Sequence, residues 1–173
     1  MNAPLPKQAT ESAANMYERV SQNFNEVAGK LASRLSSETQ GEVLFGAADR
    51  GRYATDASIY QVKPVGVFVP RSAHEVPIAM AICRDLGVPI VPRGGGTSQC
   101  GQTTGAGLVI DHTKYIRNVL EVDPVKRTVE VEPGIVLDHL NASLKKHGLW
   151  FPVDVSTSAQ ATLGGMAGNN SCG

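Results

Sequence analysis

The sequence predicts a βαβ unit followed by an antiparallel hairpin, with a ligand loop at a strand end, on three observations. Two short β-branched runs, Val65 to Val69 and Val88 to Val91, flank a stretch with helical apolar spacing. Two alternating runs, Val119 to Val122 and Thr128 to Val131, read as an antiparallel hairpin. A glycine-rich turn, P-R-G-G-G-T-S-Q-C-G, leaves the carboxyl end of the second β-branched run.

Composition narrows the class. At 173 residues the chain is long enough for one hydrophobic core and short for two ordinary domains. Its net charge is zero, which recommends neither nucleic acid nor an anionic membrane surface as a partner. The apolar runs are too short to span a bilayer, and the opening M-N-A-P-L-P-K-Q lacks the pattern of a secretory signal, so a cytoplasmic location is expected. Cys83, Cys100 and Cys172 are odd in number and widely spaced, giving neither a disulfide framework nor metal-ligand spacing; reduced thiols are expected. Many of the 18 glycines gather at 94–107 and 164–173. The second cluster reaches Gly173, so the chain is expected to stop inside a motif, as an N-terminal fragment.

Taken in order, residues 1–11 carry Pro4, Pro6 and small polar side chains and are expected to be mobile. Met16, Val20, Phe24, Val27, Leu31 and Leu35 recur at helical spacing and predict an amphipathic helix interrupted near Gly29. Val43 to Phe45, between Gly41 and Gly46, reads as a short strand, and Arg52 to Tyr60 as a loop packed on the strand that follows. Val65 to Val69 is apolar throughout, as for a strand covered on both faces. Ser72 and Glu75 have capping-box spacing at the head of a helix. That helix reaches Leu86 with Val76, Ala79, Met80, Cys83 and Leu86 as its apolar stripe, and Gly87 stops it. The two strands and this helix form a βαβ unit with parallel strands and a right-handed crossover, its second strand ending at Pro92. Leu108 to Asp111 is a further buried strand, and D-P-V-K-R turns the hairpin. Ile135 to His147 is helical, with Ile135, Leu137, Leu140 and Leu144 inward and Gly148 as the stop; His139 and His147 belong to the surface.

The chemistry concentrates in two stretches. In the first, Gly94, Gly95 and Gly96 lack a Cβ, so backbone amides can approach a ligand closely. Successive amides in such a turn form an anion-binding hollow, to which Thr97 and Ser98 add hydroxyls and Arg93 adds charge. A pyrophosphate fits this set. The P-loop is excluded because no Lys follows Gly96, and the dinucleotide fingerprint fails where Gln99 replaces its third glycine. The second stretch, W-F-P-V-D-V-S-T-S-A-Q-A-T-L-G-G-M-A-G-N-N-S-C-G, crowds hydroxyls, glycines and amides with one charge, Asp154. A surface linker would carry more charge, so this segment is expected to wrap a polar ligand.

Together P-R-G-G-G-T-S-Q-C-G-Q and P-V-D-V-S-T-S-A-Q-A-T-L-G-G-M-A-G-N-N resemble the FAD-linked oxidase family, built on the vanillyl-alcohol-oxidase or PCMH-type flavin domain. Within it the likeness is to D-lactate, glycolate and D-2-hydroxyglutarate dehydrogenases, including long bacterial forms with a C-terminal iron–sulfur region. It covers about residue 43 to the end, and implies a helical extension at 1–42 followed by the N-terminal part of a flavin domain at 43–173. The fold implied is a small parallel βαβ subdomain followed by the start of an antiparallel α+β subdomain, with FAD between them. By position, Arg93, Gly94, Gly95, Gly96, Thr97, Ser98, Gly101 and Gln102 would hold the pyrophosphate. Pro152, Val155, Ser156, Thr157, Ala161, Thr162, Gly164, Gly165, Gly168 and Asn169 would line the ribityl and isoalloxazine part. Members that bind flavin covalently place a His where this chain has Thr97, so noncovalent FAD is implied.

The resemblance further implies a parent enzyme that oxidises a small D-2-hydroxy acid to the 2-oxo acid by hydride transfer to FAD, an activity these residues alone are expected to lack, and leaves the electron acceptor unassigned. No catalytic base, metal ligands or iron–sulfur cysteines fall within these residues; they would lie beyond Gly173. Two other readings share the glycine loop: an enolpyruvyl sugar-nucleotide reductase on a similar domain, and a noncatalytic nucleotide-binding or interaction module.

Overall fold

A computed structural model describes residues 13–170. The expectations for residues 1–11, for the side chains of Met16 and Val20, and for Cys172 lie outside the described residues.

Helix α1 (Ala13–Glu38) runs into strand β1 (Glu42–Leu44) and a one-and-a-half-turn helix α2 (Ala47–Arg52), then strand β2 (Gly66–Val69), helix α3 (Glu75–Leu86), strand β3 (Ile90–Arg93) and strand β4 (Leu108–Asp111). These build a four-stranded sheet in the order β1-β2-β4-β3. Strands β2 and β3 both pair in parallel with β4, and β1 adds an antiparallel edge. The parallel strand–helix–strand unit is present, but β2 and β3 are not neighbours, because β4 inserts between them. The run of four buried residues in β4 is the mark of that central place.

Strand alternation sorts the sheet into two faces. Phe68, Leu108 and Ile110 point to one side, where Leu31 and Leu35 of α1 and Ala79, Ile82 and Cys83 of α3 cover them. Val67, Val69 and Val109 point to the other, against Tyr53, Val91 and Tyr115. The second half of α1 is thus part of the main core.

The second region consists of a hairpin, β5 (Val119–Asp123) and β6 (Thr128–Val131), helix α4 (Leu137–Leu144) with a 3₁₀ turn at Lys145–His147, and helix α5 (Leu163–Asn169). Ile135, Leu140 and Leu144 are buried against the inward valines of the hairpin. A register shift between Val119 and Glu121 leaves Leu120 as the extra residue of a bulge.

Several local expectations give way to specific contacts. Helix α1 passes through Gly29 unbroken; a Cβ there would meet nothing, so the glycine costs about 1 kcal/mol of propensity without a packing reason to break the helix. Ser72 makes no side-chain cap, and α3 begins at Glu75. The Glu75 carboxylate instead accepts from the Gln40 and Arg71 amides, both at 2.7 Å, tying the chain before β1 to the head of α3. Met80 is 51% exposed while Ile82 is fully buried, so the stripe is rotated toward Ile82. Strand β3 continues through Pro92, which an edge strand tolerates because no neighbour needs its missing N–H. Gly87 closes α3 with φ +66, as its position after the helix suggested.

The inward face of the sheet should dominate stability. Phe68→Ala is expected to cost about 3–5 kcal/mol in denaturant unfolding, whereas Met80→Ala should stay within about 0.5 kcal/mol. Equal losses at the two positions would contradict this assignment of the stripe.

Candidate functional site

The parallel strands deliver their carboxyl ends to one edge of the sheet, the place where open α/β sheets bind ligands. Arg93 ends β3, Asp111 ends β4, and the two are direct partners in the ladder. The glycine turn leaves from Arg93. Its Gly96 has φ +65, a conformation that favours glycine, and the Gly96 carbonyl accepts from the Ala57 amide at 3.0 Å. The loop at 53–62 therefore covers the glycine turn, rather than only the strand after it.

Gly94 and Gly95 serve a different purpose from Gly96. Neither has positive φ. A Cβ on Gly94 would overlap the Thr162 hydroxyl, and one on Gly95 would overlap the Gln160 carbonyl oxygen. Glycine is needed here so that the second chemical stretch can lie directly on the first. Arg93, Gly94, Gly95, Gln160, Thr162 and Val136 line one cleft of about 440 Å³ with Arg52, Tyr53, Asp111 and Thr113.

The amides of Gly94, Gly95, Gly96, Thr97, Ser98 and Gln99 donate to no acceptor among the described residues. Consecutive unmet donors on one turn are the physical requirement for holding an anion. The hydroxyl of Ser98 donates to Gln102, and Gln102 Nε2 donates to Asn169 Oδ1 at 3.0 Å, so the turn is fastened to the end of α5. The guanidinium of Arg93 donates to the Thr55 carbonyl at 2.9 Å and the Thr103 carbonyl at 3.3 Å, which fixes its position and leaves its other N–H groups uncommitted.

The second stretch is held mainly by its own backbone. Thr162 caps α5 by accepting from the Gly165 amide at 3.3 Å, and Gly164 donates to the Pro133 carbonyl. The start of α5 therefore has its amides engaged, unlike the glycine turn. Thr157 accepts from the Gln160 and Ala161 amides. Ala161 is buried and contributes its carbonyl to the Leu137 amide. Pro152 and Ser156 are exposed, Val155 is half-buried, Gly101 lies against Tyr60, and Gly168 is open to solvent.

Residues not singled out from sequence complete the cleft. Asp111 is 7% exposed and accepts from the Tyr53 hydroxyl at 2.6 Å and from the amide and hydroxyl of Thr113, both at 2.7 Å. Burial, reinforced by Asp111, raises the Tyr53 phenol pKa well above its ordinary value, so it remains a neutral donor. A carboxylate at the carboxyl end of a wholly apolar strand was the available signal. Asp56 accepts from the Ser58 amide and the Thr103 hydroxyl; although burial opposes it, those hydrogen bonds hold its carboxyl below the usual range.

The FAD binding domain family matches residues 64–173. The chain belongs to the FAD binding domain family. FAD is thus the cofactor to which the geometry is to be compared, and a row of free amides beside Arg93 suits its pyrophosphate. The chain is 39% identical over 146 residues to a D-2-hydroxyglutarate dehydrogenase of Pseudomonas putida, covering 83% of this chain and 14% of that protein. It is 36% identical over 141 residues to the glycolate oxidase subunit GlcD of Bacillus subtilis, covering 79% and 30%. Among solved structures it is similar to alkyldihydroxyacetonephosphate synthase (TM-score 0.65, 23% identity, 72% of this chain and 28% of that one). It is also similar to Physcomitrella patens BBE-like 1 (variant D396N; TM-score 0.67, 21% identity, 80% and 30%). The last two establish the fold, an α+β FAD-binding domain of the PCMH type. The chain spans about one seventh of the dehydrogenase and under a third of the oxidase subunit.

Two outcomes test this geometry. Gly95→Ala should lower stability by about 1–3 kcal/mol in thermal or denaturant unfolding, because Gln160 backbone must move. Gly168→Ala, in open space on a helix, should be neutral or stabilise by up to about 1 kcal/mol. A second outcome concerns His112, whose Nδ1 is buried without a partner among the described residues. Burial lowers its pKa and Asp111 opposes this only in part. The contribution of the neutral ring is present above the ordinary value of 6.5 and is lost as pH falls from there through the folded pKa. Unfolding between pH 5 and 7 should therefore lose its slope in His112→Leu; an unchanged slope would contradict it.

Proposed function

We propose that this chain is the FAD-holding part of a flavin-dependent dehydrogenase that oxidises a D-2-hydroxy acid of the D-lactate, glycolate or D-2-hydroxyglutarate class. The reading is carried by the run of unmet amides from Gly94 to Gln99 beside Arg93, at the carboxyl edge of a parallel sheet. The names of the relatives support the substrate class.

When bound, FAD supplies the chemistry by accepting a hydride from the α-carbon, and the product is the 2-oxo acid. The amides of residues 94–99, with the hydroxyl of Thr97, hold the pyrophosphate charge, and Arg93 offsets it. The Ser98–Gln102–Asn169 chain and Gly101 keep the turn closed on α5. Thr162 and Ala161, with Gly164 and Gly165, place backbone along the cofactor where bulky side chains would exclude it; Pro152, Val155, Ser156, Thr157 and Gly168 extend that wall. Residues 43–173 form the flavin domain in this reading, with 1–42 as a helical extension. Thr97 stands where covalent relatives use a histidine, so the flavin is held without a bond.

Acid or heat denaturation of the full chain should release all flavin into solution; fluorescence that migrates with denatured polypeptide on a gel would overturn the noncovalent assignment. A longer flavin-loaded protein that contains this chain together with the catalytic base should reduce an artificial dye with a D-2-hydroxy acid and not with the L isomer, whereas the 173 residues alone should show no turnover. Consumption of NADPH with no response to any hydroxy acid would reject the dehydrogenase reading.

A further inference from the structure

Arg93 and Asp111 are ladder partners at the ends of adjacent parallel strands, and neighbouring partners in a parallel pair project to the same face. That face is the one carrying Val91, Val109 and Tyr53. A cation and a buried carboxylate so placed would ordinarily pair. Here no ion pair joins them. Tyr53 takes part in the contacts of both: its hydroxyl donates to Asp111 Oδ2 at 2.6 Å, and its ring lies 5.7 Å from the Arg93 guanidinium carbon. Thr113 occupies Asp111 Oδ1 twice over. The carboxylate is thus engaged by neutral donors, while the guanidinium is held away by the Thr55 and Thr103 carbonyls.

We propose that Tyr53 is a positioning residue that keeps Arg93 and Asp111 from pairing, so that the Arg93 charge stays available to the anionic ligand of the glycine turn. The proposal rests on the reading of that turn as the pyrophosphate site. A carboxylate in direct contact with Arg93 would neutralise it and draw the guanidinium down toward the end of β4, away from the free amides. A hydroxyl donor satisfies Asp111 without adding charge, and an aromatic face is a favourable, non-competing neighbour for a guanidinium. Leaving Asp111 without any donor would not serve, because a buried carboxylate needs its hydrogen bonds.

The test is a double-mutant cycle on the full chain, with FAD affinity followed by flavin fluorescence at several salt concentrations. Tyr53→Leu should weaken FAD by about tenfold, the order expected for one charge-assisted contact, and should reduce the salt dependence of binding. Adding Asp111→Asn to it removes the competing charge and should restore affinity to within about threefold of the unaltered protein, with the salt dependence restored. A structural role alone predicts the opposite sign, since a second alteration in the same cluster would compound the loss. Tyr53→Phe keeps the ring and frees Oδ2; it should show a smaller loss, again reversed by Asp111→Asn. This second cycle stands if the leucine variant does not fold. Failure of rescue in a protein that binds FAD normally when unaltered overturns the role of Tyr53 and leaves the site reading intact. Absence of FAD binding in the unaltered protein overturns both.

Discussion

The glycine turn lies directly against the 160–165 stretch, Gly94 on a side-chain hydroxyl and Gly95 on backbone, and the site depends on that contact. Gly94 meets the Thr162 hydroxyl and Gly95 meets the Gln160 carbonyl at separations no Cβ could share. The contact joins two separate cores, the α1–α3–sheet core and the hairpin–α4 core, at the edge where three parallel strands end. Without it the cleft would lack one wall. With it, Gly94 and Gly95 line the cleft, and the amides of 94–99 have no acceptor to relax onto among the described residues.

None of residues 94–99 is buried, so water serves these amides when no anion is bound, and surrounding contacts hold the turn in place. Helix α5 has its leading amides satisfied by Thr162, Ile135 and Pro133, so the only row of unmet donors in the cleft belongs to the glycine turn among the described residues. Arg93 is pinned by two carbonyls from different loops, Thr55 and Thr103. The covering loop is fixed in turn by Asp56 on Thr103 and by the Ala57 amide on Gly96. Polar groups with one solution each specify geometry more sharply than apolar packing does. The apolar cores carry stability, and this polar lattice carries position.

Much of the fold was legible because it follows from local pattern. The apolar runs at 65–69 and 108–111 and the alternation at 119–131 read directly as strands, and Gly87 and Gly148 as helix stops. Strand order was not legible: placing β4 between β2 and β3 is a long-range choice that no window of sequence encodes. The exposure of Met80 and burial of Ile82 depend on how α1 packs against α3, again a tertiary matter. In the site, the two motifs were visible and their meeting was an expectation that the geometry gives in backbone detail. Gly95 was expected to serve ligand approach by lacking a Cβ; its observed constraint is the Gln160 carbonyl, a contact 65 positions away in the chain. Tyr53 and Asp111 escaped notice because each is ordinary in its own segment and becomes informative only when the sheet sets them side by side.

Amide hydrogen exchange with and without FAD examines the central claim at the atoms concerned. The account expects the amides of residues 94–99 to exchange freely in the unliganded protein and to slow by at least about tenfold on adding FAD, with smaller effects across 160–165. Flavin binding that leaves 94–99 unprotected, while slowing amides elsewhere, would show that the pyrophosphate is held by another part of the molecule.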